Sequence, residues 1–125
     1  MKIYKDWNDV SEQIWPSRFF SPKEIACKGT GEVAINPDAL EKLDKLREML
    51  GGPVRVSSAY RSAYHNAKVG GAPLSQHRLG SAFDIVLGAR EKSEIERVAR
   101  AVGFTGLGLR YKTFVHVDTG RKRSW

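Results

Sequence analysis

The chemistry of this chain concentrates in two short runs, Ser75-Gln76-His77-Arg78-Leu79-Gly80-Ser81-Ala82-Phe83-Asp84 and Phe114-Val115-His116-Val117-Asp118. Imidazole nitrogens and carboxylate oxygens are the donors that bind zinc where thiolates are lacking. His77 and Asp84 stand seven residues apart. Ligands on one helix face recur at three or four, so His77 belongs on a loop and Asp84 on the strand that follows. His116 is the best third donor. In the alternating run Thr113 to Asp118, Val115 and Val117 turn toward a core and His116 toward the other side. Two imidazoles and one carboxylate would hold a single Zn2+ ion and leave its fourth position open, the mark of a reactive rather than a closed structural site.

Each of these residues also has a plainer account. Asp84 lies among Phe83, Ile85 and Leu87, where a carboxylate needs a partner. A cation would serve, and so would an ion pair with Arg61 or Arg78. His116, between two valines, could be a hydrogen-bonded interior histidine. Asp118 shares its strand face and could orient a ligand, act as a base, or anchor the basic tail Arg121-Lys122-Arg123. His65 has no such company and reads as a loop or cleft-rim residue.

The elements that must position these groups are legible from periodicity and punctuation. Ser21-Pro22-Lys23-Glu24 has the form of a capping box with a first-turn proline, so a short helix starts there. Asn36-Pro37 opens the clearest helix, with Leu40, Leu43, Leu46 and Leu50 on one face until Gly51-Gly52 ends it. Val54 to Ser58 and Ala82 to Leu87 alternate as strands. A second amphipathic helix, from about Glu91 to Val102, presents Ile95, Val98, Ala99 and Val102 and stops at Gly103. Gly106 to Arg110 and Thr113 to Asp118 read as a hairpin around Tyr111-Lys112. The predicted fold is α+β, a small, largely antiparallel sheet with flanking helices.

With 125 residues and no repeat or linker-like tract, residues 1–125 read as one domain, 1–20 as an irregular wrap and 21–125 as the core. A single cysteine, Cys27, rules out an internal disulfide and a cysteine-rich zinc site. Residues 1–20 carry charges throughout and no apolar run, which predicts synthesis in the cytosol without a secretory signal. No stretch suits stable membrane insertion. The net charge of +7 favours a polyanionic target without choosing among nucleic acid, anionic membrane and cell wall.

Taken together, Val56-Ser57-Ser58-Ala59-Tyr60-Arg61-Ser62, Asn66, Gly70-Gly71, Ser75-x-His77-x-x-Gly80-x-Ala82-x-Asp84, Gly106-x-Gly108 and Phe114-Val115-His116-Val117-Asp118-x-Gly120 resemble the zinc D-Ala-D-Ala carboxypeptidases. That family includes the vancomycin-resistance dipeptidases and phage L-alanyl-D-glutamate endolysins and shares its fold with the hedgehog signalling domain. The ending with Arg123-Ser124-Trp125 is most similar to the small murein peptidases. The resemblance spans roughly residues 20–125. It implies that His77, Asp84 and His116 are the zinc ligands, and that Arg61 polarises the scissile carbonyl or grips a substrate carboxylate. Ser75 and Tyr60 would lie beside the substrate.

Relatives place an acidic base three residues before the last ligand, or a histidine two before it. Here those positions hold Thr113 and Phe114, which leaves Asp118 as the alternative base. The expectation is a monomeric zinc peptidase cutting amide bonds in peptidoglycan stem peptides or cross-links. It would reach the wall as a phage or prophage lysis enzyme, through a holin or from a virion. Two rivals stand beside it: a non-catalytic, zinc-stabilised wall-binding module, and metal-dependent nucleic-acid processing. The latter lacks an interleaved aromatic and basic surface, so no nucleic-acid partner is expected.

Overall fold

A computed structural model describes all residues 1–125. Along the chain run β1 (Lys2–Tyr4), α1 (Pro22–Ile25), β2 (Val33–Ile35), α2 (Pro37–Leu50), β3 (Val56–Ser58) and α3 (Ala63–Lys68). They are followed by β4 (Ala82–Val86), α4 (Lys92–Val102), β5 (Gly106–Gly108), β6 (Phe114–Asp118) and β7 (Arg123–Ser124). Short 3-10 turns occupy Trp7–Asp9 and Gln76–Leu79. Five strands form one sheet in the order β3-β4-β6-β5-β7, antiparallel throughout except for the β5–β7 pair. The fold is the predicted α+β arrangement.

The caps act where the sequence placed them. Ser21 and Glu24 complete a reciprocal capping box, Asn36 caps α2 through Ala39 N–H, and Gly51 closes it in the left-handed region at φ 74°. Leu40, Leu43 and Leu46 of α2 and Ile95, Val98 and Ala99 of α4 are buried on the sheet face formed by Ile85, Leu107, Val115 and Val117. Period-two alternation does the rest: with the valines of β6 fixed in that core, His116 and Asp118 must face the opposite side.

The N-terminal segment is more ordered than an irregular wrap. β1 pairs antiparallel with β2, Ile3 opposite Ala34, while Trp7, Val10, Trp15 and Phe19 pack against the core. Three residues of strand are too few to leave a periodic signature. The strands predicted from Val54 and to Leu87 are trimmed to β3 and β4, and β3 carries a register irregularity between Val56 and Ser58. His65 sits on α3 rather than on a loop, its ring filling the space left by the missing side chain of Gly29. No helix is long and apolar enough to cross a membrane.

Candidate metal centre

β4 and β6 are neighbours, and Asp84 and His116 are direct Cα partners across them, on the face away from the core. Their donors meet without any loop being involved: His116 Nδ1 lies 3.1 Å from Asp84 Oδ1. His77 arrives from the Gln76–Leu79 turn. Ser75 caps that turn by accepting from His77 N–H, and Gly80 ends it at φ 68°. His77 Nε2 stands 3.3 Å from the same oxygen of Asp84. The three donor atoms lie within 4.8 Å of one another, and His77, Asp84 and His116 are 3%, 5% and 8% exposed.

The far side of each imidazole shows what this cluster accommodates. His77 Nδ1 lies 2.7 Å from the carbonyl of Ala59, a pure acceptor, so the proton sits on Nδ1 and the Nε2 lone pair faces Asp84. His116 Nε2 lies 2.6 Å from Asp118 Oδ2, which assigns its proton likewise and turns the Nδ1 lone pair on Asp84. Two lone pairs and a carboxylate oxygen thus converge on one point, an arrangement that only a cation or added protons can satisfy. Donor separations of 3.1 and 3.3 Å match the roughly 3.3 Å edge of a tetrahedron with zinc bond lengths of ~2.0–2.1 Å. The donor set fits one zinc ion.

Burial pushes the Asp84 carboxyl up, but hydrogen bonds with His116 and His77 outweigh it and hold the pKa at about 2. Burial lowers the His116 pKa, and contacts with Asp118 and Asp84 overcome this and raise it above its ordinary value. Arg61, the alternative partner of Asp84, approaches only to 3.7 Å, and Arg78 is engaged instead with the Pro73 carbonyl. Neither arginine replaces a cation. Arg61 is aimed by other contacts, Nε donating to Ser58 Oγ at 3.1 Å and an Nη to Asn66 Oδ1 at 3.3 Å.

Asp118 is fully buried and every contact it makes is inward. Besides His116, its oxygens accept from both terminal nitrogens of Arg123, at 2.9 and 2.8 Å, and from Gly120 N–H at 2.9 Å. These partners hold its pKa far below the usual range against the upward push of burial. A side chain at Gly106 would collide with this Asp118–Arg123 pair, and one at Gly108 with Trp125 and Tyr111, which explains the bare Gly106-x-Gly108 strand. Trp125 closes the row, 5.1 Å from the His116 ring and donating from its indole N–H to Tyr111 Oη at 3.0 Å.

The donors form part of the wall of a cavity of about 790 Å3. Its lining includes Arg61, residues of the segment from Val69 to Gln76, and Arg110, Tyr111, Phe114, Arg121, Arg123 and Trp125. Ser75 and Arg61 therefore reach the cavity. Tyr60 does not: the chain turns after β3, and its side chain is buried with Cys27 and Ala34. Asp118 is also absent from the lining, whose only carboxylate is Asp84 and whose only imidazoles are the two donors. Tyr111, Phe114 and Trp125 are lining residues that the sequence alone does not place there, and Trp125 reaches the site only through the β5–β7 pairing. The clasp of Asp118 on Arg123 is the anchoring of the basic tail that the sequence offers as one role for Asp118.

Comparison with known proteins agrees with this geometry. Residues 18–118 match the family Peptidase M15. The chain is 33% identical over 100 residues to the peptidoglycan L,D-endopeptidase MepK of Escherichia coli K12, covering 74% of this chain and 55% of that protein. Against the zinc D-Ala-D-Ala carboxypeptidase of Streptomyces albus G it is 36% identical over 89 residues, 67% of this chain and 35% of that one. The chain thus spans about half the length of the first relative and a third of the second.

Proposed function

This chain belongs to the Peptidase M15 family, and from that membership we propose that it is a zinc-dependent hydrolase of amide bonds in peptidoglycan stem peptides or cross-links. The observation that carries the reading is the convergence of His77 Nε2, Asp84 Oδ1 and His116 Nδ1 on one point in the wall of a cavity of about 790 Å3. Zinc held there supplies Lewis acidity toward a carbonyl and lowers the pKa of water. The chain's own residues do the rest. Arg61, braced by Ser58 and Asn66 next to Asp84, is placed to donate to a carbonyl oxygen as negative charge develops on it. Asp118 holds the His116 tautomer and is in turn held by Arg123, a positioning role rather than that of a base. Ser75 shapes the turn that presents His77.

The relatives' names, peptidoglycan L,D-endopeptidase and zinc D-Ala-D-Ala carboxypeptidase, support the substrate class. A net charge of +7 suits adhesion to an anionic wall. Action on the wall as a monomeric, single-domain lysis enzyme of phage or prophage origin is the setting we propose. Mass spectrometry of muropeptides incubated with zinc-loaded protein tests the activity, with a chelated sample and His77→Ala as controls. New fragments should appear only in the zinc-loaded sample.

One observation favours a second reading. Thr113 and Phe114 occupy the positions where relatives carry a base, and the lining offers no free carboxylate or imidazole in their stead. A wall-binding module stabilised by zinc would show this. It would leave muropeptides intact on prolonged incubation while chelation lowered its melting temperature.

A further inference from the structure

Arg61 stops short of Asp84. Arg61 Nη2 and Asp84 Oδ2 are 3.7 Å apart, too far for a hydrogen bond, although the two side chains are only 17% and 8% exposed. Opposite charges at that depth are weakly screened and attract. What withholds the guanidinium is the pair of bonds on its other nitrogens, Nε to Ser58 Oγ and Nη1 to Asn66 Oδ1. Asn66 is itself 2% exposed and held on every side. Its Nδ2 donates to the Ala72 carbonyl at 2.8 Å, which fixes the amide orientation, because Oδ1 is then the atom left to accept from Arg61. Its backbone carbonyl accepts from Gly71 N–H at 2.8 Å, and its own N–H donates to the Ser62 carbonyl at 2.9 Å. Gly71 has to be bare: a Cβ there would run into Asn66 Oδ1 and crowd Arg61 Nη1. Asn66 thereby clamps Arg61 to the Gly71–Ala72 segment, which lines the same cavity.

We propose that Asn66 is a positioning residue that keeps Arg61 off Asp84: by tying the guanidinium to the Gly71–Ala72 wall, it reserves the carboxylate for zinc and the arginine for substrate. The part that concerns substrate rests on the peptidase reading, and the part that concerns zinc does not. Without the tie only Ser58 holds the guanidinium back, and it closes on Asp84. An ion pair there engages the carboxylate that the metal needs, so arginine and zinc become rivals for one ligand. It also withdraws the donor aimed at the carbonyl oxygen. Loss of Asn66 therefore damages metal binding and turnover through Arg61, and the damage depends on the arginine being present.

The test is a double-variant cycle on the full chain, read first as zinc affinity by chelator competition. Asn66→Leu should weaken zinc binding about tenfold, and the loss should vanish when Arg61→Gln removes the rival charge. A loss that persists in the Arg61→Gln background makes Asn66 a support of the fold alone and overturns the proposal, as does unchanged affinity in Asn66→Leu. Should Asn66→Leu fail to fold, Gly71→Ala, which presses on the same pair, takes its place in the cycle and the same criteria apply. Muropeptide turnover is the second readout: kcat should fall about 100-fold in Asn66→Leu with KM little changed, and Asn66→Leu should add little on top of Arg61→Gln. Losses that add in full sink the proposal. A wild type that cuts nothing overturns the peptidase reading, and the zinc cycle then decides this one.

Discussion

The β4–β6 ladder and the turn from Ser75 to Gly80 both present donors to the same point, and they hold them by different means. On the ladder, Asp84 and His116 are cross-strand partners whose neighbours Phe83, Ile85, Val115 and Val117 are locked into the core. On the turn, His77 is held by a serine cap, a left-handed glycine, a bond to the Ala59 carbonyl and a backbone bond from Arg61 N–H to its own carbonyl. A ladder donor can move only if the sheet moves, whereas the turn can open locally at far smaller cost. Two of the donors are therefore set before metal arrives, and the third completes the site.

The largest effect should come from removing donors. Asp84→Ala and His116→Ala should abolish both zinc retention after dialysis and muropeptide cleavage. His77→Ala should lose cleavage yet keep weak, measurable zinc binding; equal loss in all three variants would erase the distinction between ladder and turn. Next, Ile85→Ala beneath the ladder should cost about 2–5 kcal/mol in denaturant unfolding. Arg123→Lys keeps the charge but loses the fork onto Asp118, and zinc affinity measured by chelator competition should fall by roughly 10-fold or more. Ser75→Ala on the turn should cost only about 1 kcal/mol.

The smallest effect is that of pH on the chelated protein. The His116 pKa is raised above 6.5, so the stability it contributes is full below that value and is lost as pH rises through the folded value. Asp84 is depressed from 3.8 to about 2, and its contribution disappears only as pH falls through that acid range. As pH rises past the ordinary imidazole value of 6.5 and through the raised folded value, the His116 contribution is lost, so the melting temperature of the metal-free protein should drop. Zinc should reverse the trend, because it occupies the position the proton leaves.

What could be read from the sequence follows the range of the interactions involved. The caps at Ser21, Asn36 and Gly51, the leucine face of α2 and the alternation that turns His116 away from Val115 and Val117 are local, and all are present in the fold. Tyr60 was misjudged because its proximity to Arg61 in sequence carries no information about the turn after β3, which sends the ring inward. For Asp118 the sequence leaves three roles open, orienting a ligand, acting as a base or anchoring the basic tail, and its contacts are those of the first and the third. Only the pairing of β7 with β5 reveals that Arg123 already occupies it. β1, too short for periodicity, needed β2 beside it to exist as a strand.

The direct pairing of Asp84 with His116 has a consequence for how the chain acquires its native form. Were β4 to slide one residue along β6 during refolding, a coordinating side chain on the displaced strand would be turned into oil and a hydrophobic one out to water. A molecule so misaligned would lack Asp84 opposite His116, so zinc added during refolding would favour the aligned form.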